Sequence, residues 1–236
     1  MNELEIPQCW RDVADVLAAG VDRLMLYGPP GVGKTQAGMR YGNIANGAWR
    51  VPCTEDMSEA HLTGHMKPMG DEWVWNDGPV AKALLGNGRV VLDEVDRLNG
   101  DVLSLALALT DSTESVQWDH PLTGQRYTAG NGYSVVATTN SEDPAADLDP
   151  ALLDRFTVRI RINAPHPDAL YNLSPDLRRY AMRAADLGDR RISLRSFQTF
   201  DRLRKGLGDE TRAAVIVFGG NAQSVLDAIA IDKVAV

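Results

Sequence analysis

One short stretch constrains the fold of this chain more than any other. Residues 28–35 read Gly-Pro-Pro-Gly-Val-Gly-Lys-Thr and match the pattern G-x-x-x-x-G-K-[ST]. An apolar run of strand length, residues 21–27, lies just before it, and residues 36–46 have a helical pattern just after it. A glycine loop between a strand and a helix is the context that this phosphate-binding pattern requires, so the sequence predicts an α/β fold.

The glycine loop has the chemistry of a phosphate cradle. Glycines at positions 28, 31 and 33 let the backbone curl and direct its N–H groups inward, next to the positive end of the following helix. Lys34 adds a positive charge for the β- and γ-phosphates, and Thr35 offers a hydroxyl to Mg²⁺. The candidate nucleotide-binding residues here are Gly28, Pro29, Pro30, Gly31, Val32, Gly33, Lys34, Thr35 and Gln36.

Two carboxylates follow a second apolar strand, residues 90–92, which is continuous as expected for a buried parallel sheet. Ligands of open α/β sheets bind at the C-terminal ends of the strands, so Asp93 and Glu94 are expected to face the glycine loop. Asp93, with Thr35, is the candidate Mg²⁺ ligand. Glu94 is the candidate that activates an attacking water. The alternative is an acidic surface turn.

A third apolar strand, residues 133–139, ends at Asn140. At that position an amide side chain is predicted to hydrogen-bond a water near a γ-phosphate, and together with Lys34 and Glu94 it is a candidate catalytic residue. The alternative is a simple cap at the strand end.

Composition narrows the class of protein. The chain has 236 residues, 44% of them hydrophobic, which is enough for one sizeable core or a large domain with a small satellite. Its net charge of −8 and pI of about 5.0 argue against non-specific duplex binding by the whole surface. Its two cysteines make no disulfide framework and suggest no metal site. Without a signal peptide or a membrane-length apolar run, a cytoplasmic protein with no membrane insertion is expected.

The order of elements predicts two domains. Residues 1–164 are expected to form the α/β domain, with β-hairpins inserted near 64–79 and 116–128, where turn residues interrupt the pattern. Residues 158–162 alternate apolar and polar, which is typical of an edge strand. Residues 165–167 read as a linker. Residues 165–236 are expected to form a small all-helical domain of four helices.

Taken together, the motifs resemble those of AAA+ ATPases, most closely the MoxR-type and CbbQ/NorQ-type branch, which is related to dynein modules. Residues 28–35 resemble the Walker A motif, 90–96 the Walker B motif and 137–140 sensor 1. Residues 148–156 resemble the arginine-finger segment, and 192–195 resemble sensor 2. The resemblance is strongest over residues 21–156.

The resemblance implies a P-loop NTPase with a three-layer α/β/α domain, a mostly parallel five-stranded sheet and a small C-terminal helical lid. It also implies Mg²⁺-dependent ATP hydrolysis in a homo-oligomeric ring, usually a hexamer. Arg155 would act on the ATP of the neighbouring subunit. Arg195, or alternatively Arg191, would be sensor 2. The ring would remodel or activate a protein partner, such as one with a von Willebrand A-type domain.

Two other functions stay open. A nucleic-acid-directed motor or loader would need a basic pore, with Lys67 and Arg126 as candidates; the acidic pI disfavours it. A non-catalytic, nucleotide-gated scaffold would bind ATP without turnover, although it has no chemical need for Glu94. Trp73 and Trp75 either line a pore, bind a partner or pack within their own hairpin.

Overall fold

The computed structural model describes residues 5–185, 187 and 191–234. The strands in this part of the chain are β1 Arg23–Tyr27, β2 Ala48–Pro52, β3 Gly64–Met69, β4 Glu72–Asp77, β5 Arg89–Asp93, β6 Gln117–Asp119, β7 Arg126–Thr128, β8 Ser134–Thr138 and β9 Val158–Arg161. The helices are α1 Gln8–Ala18, α2 Lys34–Arg40, α3 Ala60–Thr63, α4 Pro79–Gly86, α5 Gly100–Leu109, α6 Pro144–Asp147, α7 Pro150–Arg155, α8 Pro167–Leu170, α9 Pro175–Ala184, α10 Leu194–Leu207, α11 Glu210–Phe218 and α12 Ala222–Val234.

A five-stranded sheet in the order β2-β5-β8-β1-β9 organises the first part of the chain. All four of its strand pairings are parallel, which confirms the predicted P-loop α/β fold class. The central strands β5 and β8 are almost wholly buried, as their continuous apolar sequences predict. Strand β9 lies at one edge, as its alternating pattern predicts. Because the strands are parallel, the C-terminal ends of β1, β5 and β8 lie along one edge of the sheet.

The chain forms two compact units, and the larger one comprises residues 12–28 and 34–161. Its core packs helices against the sheet, and one helix comes unusually close. A Cβ atom at Gly38 of α2 would lie 3.1 Å from methyl groups of both Val91 and Val136. Glycine therefore allows α2 to approach β5 and β8, which positions the start of α2 beside the ends of these strands.

Two antiparallel hairpins leave this unit where turn residues interrupt the sequence pattern: β3 pairs with β4, and β6 pairs with β7. An aromatic cluster joins them. The ring of Trp75 on β4 stacks on Trp118 of β6 with centroids 6.4 Å apart, and it lies 5.2 Å from His120. Tyr127 of β7 completes the cluster, 5.6 Å from Trp118. Trp75 therefore packs against the second hairpin, whereas Trp73 is 66% exposed.

The second unit comprises residues 1–11, 29–33 and 162–236. Its helices α8–α12 surround a buried apolar cluster that includes Leu177, Phe197 and Phe200. A buried carboxylate ties two of these helices together, because Asp201 of α10 accepts hydrogen bonds from the backbone N–H and the hydroxyl of Ser174, each at 3.1 Å, at the start of α9.

Several helices differ from their predicted extents. Helix α2 ends at Arg40 rather than near residue 45, because Gly42 adopts a left-handed conformation with φ +74° that terminates it. Residues 55–59 form turns that lead into the short helix Ala60–Thr63. In the predicted linker, Pro167 begins the short helix α8, whose first turn is capped by His166.

One helical stretch, Glu210–Asp232, is long and apolar enough to cross a membrane by length and composition alone. It is not one continuous α-helix, because a 3-10 turn at Gly219–Asn221 separates α11 from α12. Helices of soluble proteins pass the same test, so this stretch is weak support for a membrane location.

Candidate functional site

The glycine loop links β1 to α2, and the first residue of α2 is the motif lysine. The Lys34 side chain is buried, and its Nζ donates to the carbonyl oxygen of Gly28 at 2.7 Å and to Oδ1 of Asn140 at 2.9 Å. Gly28 in turn donates its N–H to the carbonyl of Ser141 at 3.1 Å. The lysine charge is thus held at the C-terminal edge of the sheet, between the ends of β1 and β8.

Asp93, the last residue of β5, lies beside this lysine on the same edge and has a full set of donors. Its Oδ1 accepts from the hydroxyls of Thr35 at 2.5 Å and Thr138 at 2.6 Å. Its Oδ2 accepts from Nε and Nη2 of Arg50 at 2.9 and 2.5 Å. Burial alone would raise the pKa of Asp93, but these hydrogen bonds outweigh it and lower the pKa below its ordinary value. Asp93 is therefore a carboxylate at neutral pH.

Glu94 follows directly and adopts an unusual backbone conformation, with φ 61° and ψ 53°. Left-handed geometry is rare for residues with a side chain, and it occurs preferentially at functional sites. It turns the glutamate away from the strand direction, so that Oε1 accepts from the amide of Asn140 at 3.2 Å and Oε2 pairs with Arg97 at 2.7 Å. Lys34, Asn140 and Glu94 thus form one hydrogen-bonded chain.

These contacts bring together five of the residues selected from the sequence: Lys34, Thr35, Asp93, Glu94 and Asn140. The cluster contains one buried cation, two carboxylates and two neutral hydrogen-bonding groups. It can bind an anion through the lysine and position a polar reactant between the glutamate and the amide.

The oxygen atoms of Thr35 and Asp93 suit Mg²⁺, which prefers hard oxygen ligands and is held by one or two protein groups together with substrate phosphates. Because the Thr35 hydroxyl donates its proton to Asp93, its lone pairs face away from the carboxylate and are free to coordinate a cation. Within the described residues no group of three or more His, Cys, Asp or Glu side chains could hold a metal ion. One hydroxyl and one carboxylate fit a cation whose remaining ligands are phosphate oxygens and water.

Other predicted residues lie outside this cluster. Gln36 is exposed on α2. Arg155 lies at the end of α7, where its guanidinium pairs with Asp111 at 3.2 Å and Asp154 at 3.3 Å. Its buried Nε has no hydrogen-bond partner among the described residues. Among the described residues, the contacts of Arg155 therefore do not join it to Lys34 or Glu94.

A separate cavity of about 350 Å³ lies in the second unit, and Pro30 of the glycine loop contributes to its wall. The other lining residues are Ala185, Arg191, Ile192, Ser193, Ser196, Val217, Phe218 and Asn221. Of the two candidates for sensor 2, Arg191 lines this cavity and Arg195 lies on α10, and both side chains are exposed.

Sequence reasoning missed three residues that contact the cluster: Arg50, Thr138 and Arg97. Thr138 lies next to the Thr139-Asn140 pair, so the polar end of β8 was a signal for it. Arg97 is one helical turn after Glu94, a spacing that favours an ion pair. Arg50 could be found only from the order of strands, because it lies on β2, which neighbours β5 in space but is distant in sequence.

Comparison with known proteins identifies the family. The family model for the AAA domain of the dynein-related subfamily matches residues 23–156, which contain all five residues of the cluster. This chain belongs to that family. The result confirms the resemblance to AAA+ ATPases of the NorQ-type branch that the motifs indicate.

Two relatives of this AAA protein show how far the similarity extends. Protein NorQ of Paracoccus denitrificans is 31% identical over 158 residues, which cover 66% of this chain and 57% of NorQ. The ATP-dependent target DNA activator B of Escherichia phage D108 is 29% identical over 194 residues, covering 70% of this chain and 61% of that protein. The AAA chain therefore spans about three fifths of the length of these relatives.

A solved structure supports the fold of the AAA chain. NtrX from Brucella abortus superposes with a TM-score of 0.61 at 18% identity, over 84% of this chain and 49% of that one. At this identity the likeness shows a shared fold.

Proposed function

We propose that this protein is a Mg²⁺-dependent ATP hydrolase that works as an oligomeric ring in the cytoplasm. The observation that carries the proposal is the cluster of Lys34, Thr35, Asp93, Glu94 and Asn140 at the C-terminal edge of the sheet. Membership of the AAA family supports ATP as the nucleotide.

In the proposed reaction the glycine loop, residues 28–33 with the N–H groups of Thr35 and Gln36, binds the phosphates. Lys34 exchanges its bonds to Gly28 and Asn140 for phosphate oxygens, so its buried charge stabilises the negative charge that spreads over the transferring group. Thr35 and Asp93 hold Mg²⁺. When bound, the cation supplies a Lewis acid that neutralises phosphate charge.

Glu94 and Asn140 position the attacking water in this scheme. The Glu94 carboxylate accepts the proton of the water as it attacks the γ-phosphate, and the products are ADP and inorganic phosphate. Because the Asn140 amide already donates to Glu94, the two side chains are close enough to hold one water between them. The left-handed backbone at Glu94 fixes the direction of the carboxylate.

The proposal also includes an oligomeric ring and a protein partner. Arg155 is not joined to Lys34 within one subunit, which agrees with a role at the ATP of a neighbour, in a hexamer or another closed ring. The resemblance of the motifs to the NorQ-type branch implies a protein partner, and NorQ is 31% identical over 158 residues. We therefore infer that hydrolysis drives the remodelling or activation of such a partner. A protein with a von Willebrand A-type domain is the partner to test first.

The test is phosphate release by Lys34→Ala and Glu94→Gln variants. Both should lose at least about 100-fold in kcat/KM, since each removes a group that acts on the transition state. Lys82→Ala and Glu114→Gln change exposed residues in the same chemical way and should leave the rate unchanged. If Lys34→Ala and Glu94→Gln still hydrolyse ATP at the wild-type rate, the assigned site is wrong. If the wild type binds ATP and assembles without turnover, the scaffold alternative is correct.

One observation favours a second candidate, a nucleic-acid-directed ATPase: the similar phage protein is by name a target DNA activator. Its test is hydrolysis with and without duplex DNA. Stimulation by DNA that is lost in a Lys67→Ala variant would support this candidate over a protein partner. Arg126, the other basic candidate, is already paired with Asp119 at 2.7 Å and is less available to a phosphate.

A further inference from the structure

The carboxylate of Asp93 has no acceptor site to spare. A carboxylate offers about four lone-pair sites, two on each oxygen. In Asp93 two of them take the hydroxyls of Thr35 and Thr138 on Oδ1, and two take the N–H groups of Arg50 on Oδ2. Any cation, or any water of its shell, that approaches Asp93 must therefore displace one of these donors.

The three donor residues differ in the cost of breaking their hydrogen bonds to Asp93. Thr138 is wholly buried, and its hydroxyl also accepts from the N–H of Glu94, so its departure would leave buried polar groups unpaired. Thr35 belongs to the glycine loop and is itself a proposed ligand. The side chain of Arg50 is 52% exposed, against 8% for Asp93, so the guanidinium can move into water without losing solvation.

Charge points to the same residue. Arg50 is the donor among the three that carries a full positive charge, and it lies on β2, beside β5, with its two N–H groups on one oxygen atom. A divalent cation at Asp93 would place like charges within contact distance of a shared carboxylate, where repulsion is strong in a partly buried site.

We propose that Arg50 competes with the divalent cation for Asp93, and that its release accompanies binding of the metal–nucleotide complex. Arg50 is thus a positioning residue that weakens metal binding while it holds the Asp93 carboxylate in place beside Thr35. The proposal rests on the proposed function of this cluster as a Mg²⁺–ATP site.

The test measures the affinity of the full chain for Mn²⁺ by electron paramagnetic resonance, with the non-hydrolysable nucleotide AMP-PNP present. An Arg50→Ala variant should bind Mn²⁺ about tenfold more tightly than the wild type, because one unit of repulsive charge is gone. Arg50→Lys, which keeps the charge but not the fork, should fall between the two. Arg126→Ala removes a bidentate Arg–Asp pair on the second hairpin, away from this cluster, and should leave the affinity unchanged.

A structural role for Arg50 predicts the opposite result. If Arg50 only supports the fold, its removal loosens Asp93 and weakens Mn²⁺ binding, and equal or weaker affinity in Arg50→Ala would overturn the proposal. Should Arg50→Ala fail to fold, Arg50→Gln replaces it and the same comparison is made.

Thermal unfolding gives a second readout that does not depend on hydrolysis. Without metal, Arg50→Ala should melt at a lower temperature than the wild type, because Asp93 keeps only two of its four hydrogen bonds. With saturating Mn²⁺–AMP-PNP this deficit should vanish, since Arg50 no longer contacts Asp93 in the wild type. A deficit of the same size with and without the complex would overturn the proposal.

Binding of Mn²⁺–AMP-PNP by the wild type and by Lys34→Ala distinguishes a failure of this proposal from a failure of the proposed function. If the wild type does not bind Mn²⁺–AMP-PNP, or if Lys34→Ala binds it equally well, then the cluster is not the nucleotide site and both ideas fail. If Lys34→Ala weakens binding and Arg50→Ala does not strengthen it, the nucleotide site stands and only the competition by Arg50 is wrong.

Discussion

At the scale of one residue, Glu94 adopts a backbone conformation that lowers the stability of the protein. Its left-handed backbone, with φ 61°, is unfavourable by about 1 kcal/mol for a residue with a Cβ atom. Glycine has no such cost. The strain is maintained by neighbours that hold the side chain, namely Asn140 and Arg97.

We therefore expect Glu94→Gly to be more stable than Glu94→Gln by about 1 kcal/mol, although both variants lack the carboxylate. Urea unfolding of the two proteins measures this difference. At Glu114, where φ is not positive, the corresponding Gly variant should be less stable than the Gln variant. A Gly variant at position 94 that is no more stable than Gln would show that the backbone there is unstrained.

Replacing glycine by alanine should change stability in opposite directions at two helical positions, Gly38 and Gly206. Gly38→Ala places a methyl group 3.1 Å from Val91 and Val136 in the core and should destabilise the protein by about 1–2 kcal/mol. Gly206 of α10 has no atom within 4 Å of a new Cβ, so Gly206→Ala should stabilise by about 0.5–1 kcal/mol through helix propensity. Thermal unfolding of both variants measures the difference. Equal shifts would mean that α2 does not need its close approach to the sheet.

At the scale of elements, a shared cluster of aromatic side chains joins the two inserted hairpins. Trp118 lies at the centre of the cluster, within 5.6 to 6.4 Å of Tyr127, His120 and Trp75. Trp118→Ala should cost about 2 kcal/mol and increase proteolysis at both hairpins. Trp73→Ala, which removes a 66% exposed ring, should change stability by less than about 0.5 kcal/mol. Limited proteolysis that affects only the second hairpin would contradict the coupling.

The helices of the second unit depend on Asp201. Burial alone would raise its pKa, but hydrogen bonds from Lys205, Ser174 and Arg204 lower it. Because the folded pKa lies below the unfolded one, the ionised carboxylate stabilises the protein fully above about pH 4 and loses this effect as pH falls through the lowered value.

Asp201→Asn should therefore be less stable than the wild type by about 3 kcal/mol at pH 7, since it leaves two cations with one partner fewer in a largely buried site. The difference should shrink below about pH 4. Urea titrations of both proteins at pH 7 and pH 3 test the sign, and a difference that grows on acidification would contradict it.

Some features of the fold and the site can be predicted from the sequence and others cannot, for physical reasons. The glycine loop, Asp93-Glu94 and Asn140 follow strands whose apolar runs are unmistakable, and parallel strands bring their ends to one edge. Arg50 escaped prediction because its partner is fixed by strand order, which no local pattern encodes. The end of α2 was misjudged because Gly42 outweighs the helical pattern around it. The left-handed backbone of Glu94 is imposed by tertiary contacts and leaves no trace in residue type.

At the scale of the whole molecule, the proposed ring requires residues from two subunits at each site. Arg155 belongs to one subunit and Lys34 to the next in this scheme, so two inactive variants can complement each other. A mixture of Arg155→Ala and Lys34→Ala proteins, unfolded or dissociated and reassembled together at equal concentration, should regain about a quarter of the wild-type sites, if subunits mix at random.

Phosphate release from the mixture, compared with each variant alone, measures this complementation. The control is a mixture of Lys34→Ala and Glu94→Gln, which both damage the same subunit's site and should not complement. Recovery in neither mixture would mean that Arg155 acts within its own subunit or not at all.

The Trp75 and Trp118 rings are inclined by 26° with centroids 6.4 Å apart, and this arrangement has an optical consequence. Two indoles held at that separation couple their electronic transitions, and a chiral arrangement of this kind gives a paired positive and negative band in the far-ultraviolet circular dichroism spectrum. The intensity of that couplet reports, without any added label, whether the two insertions are docked.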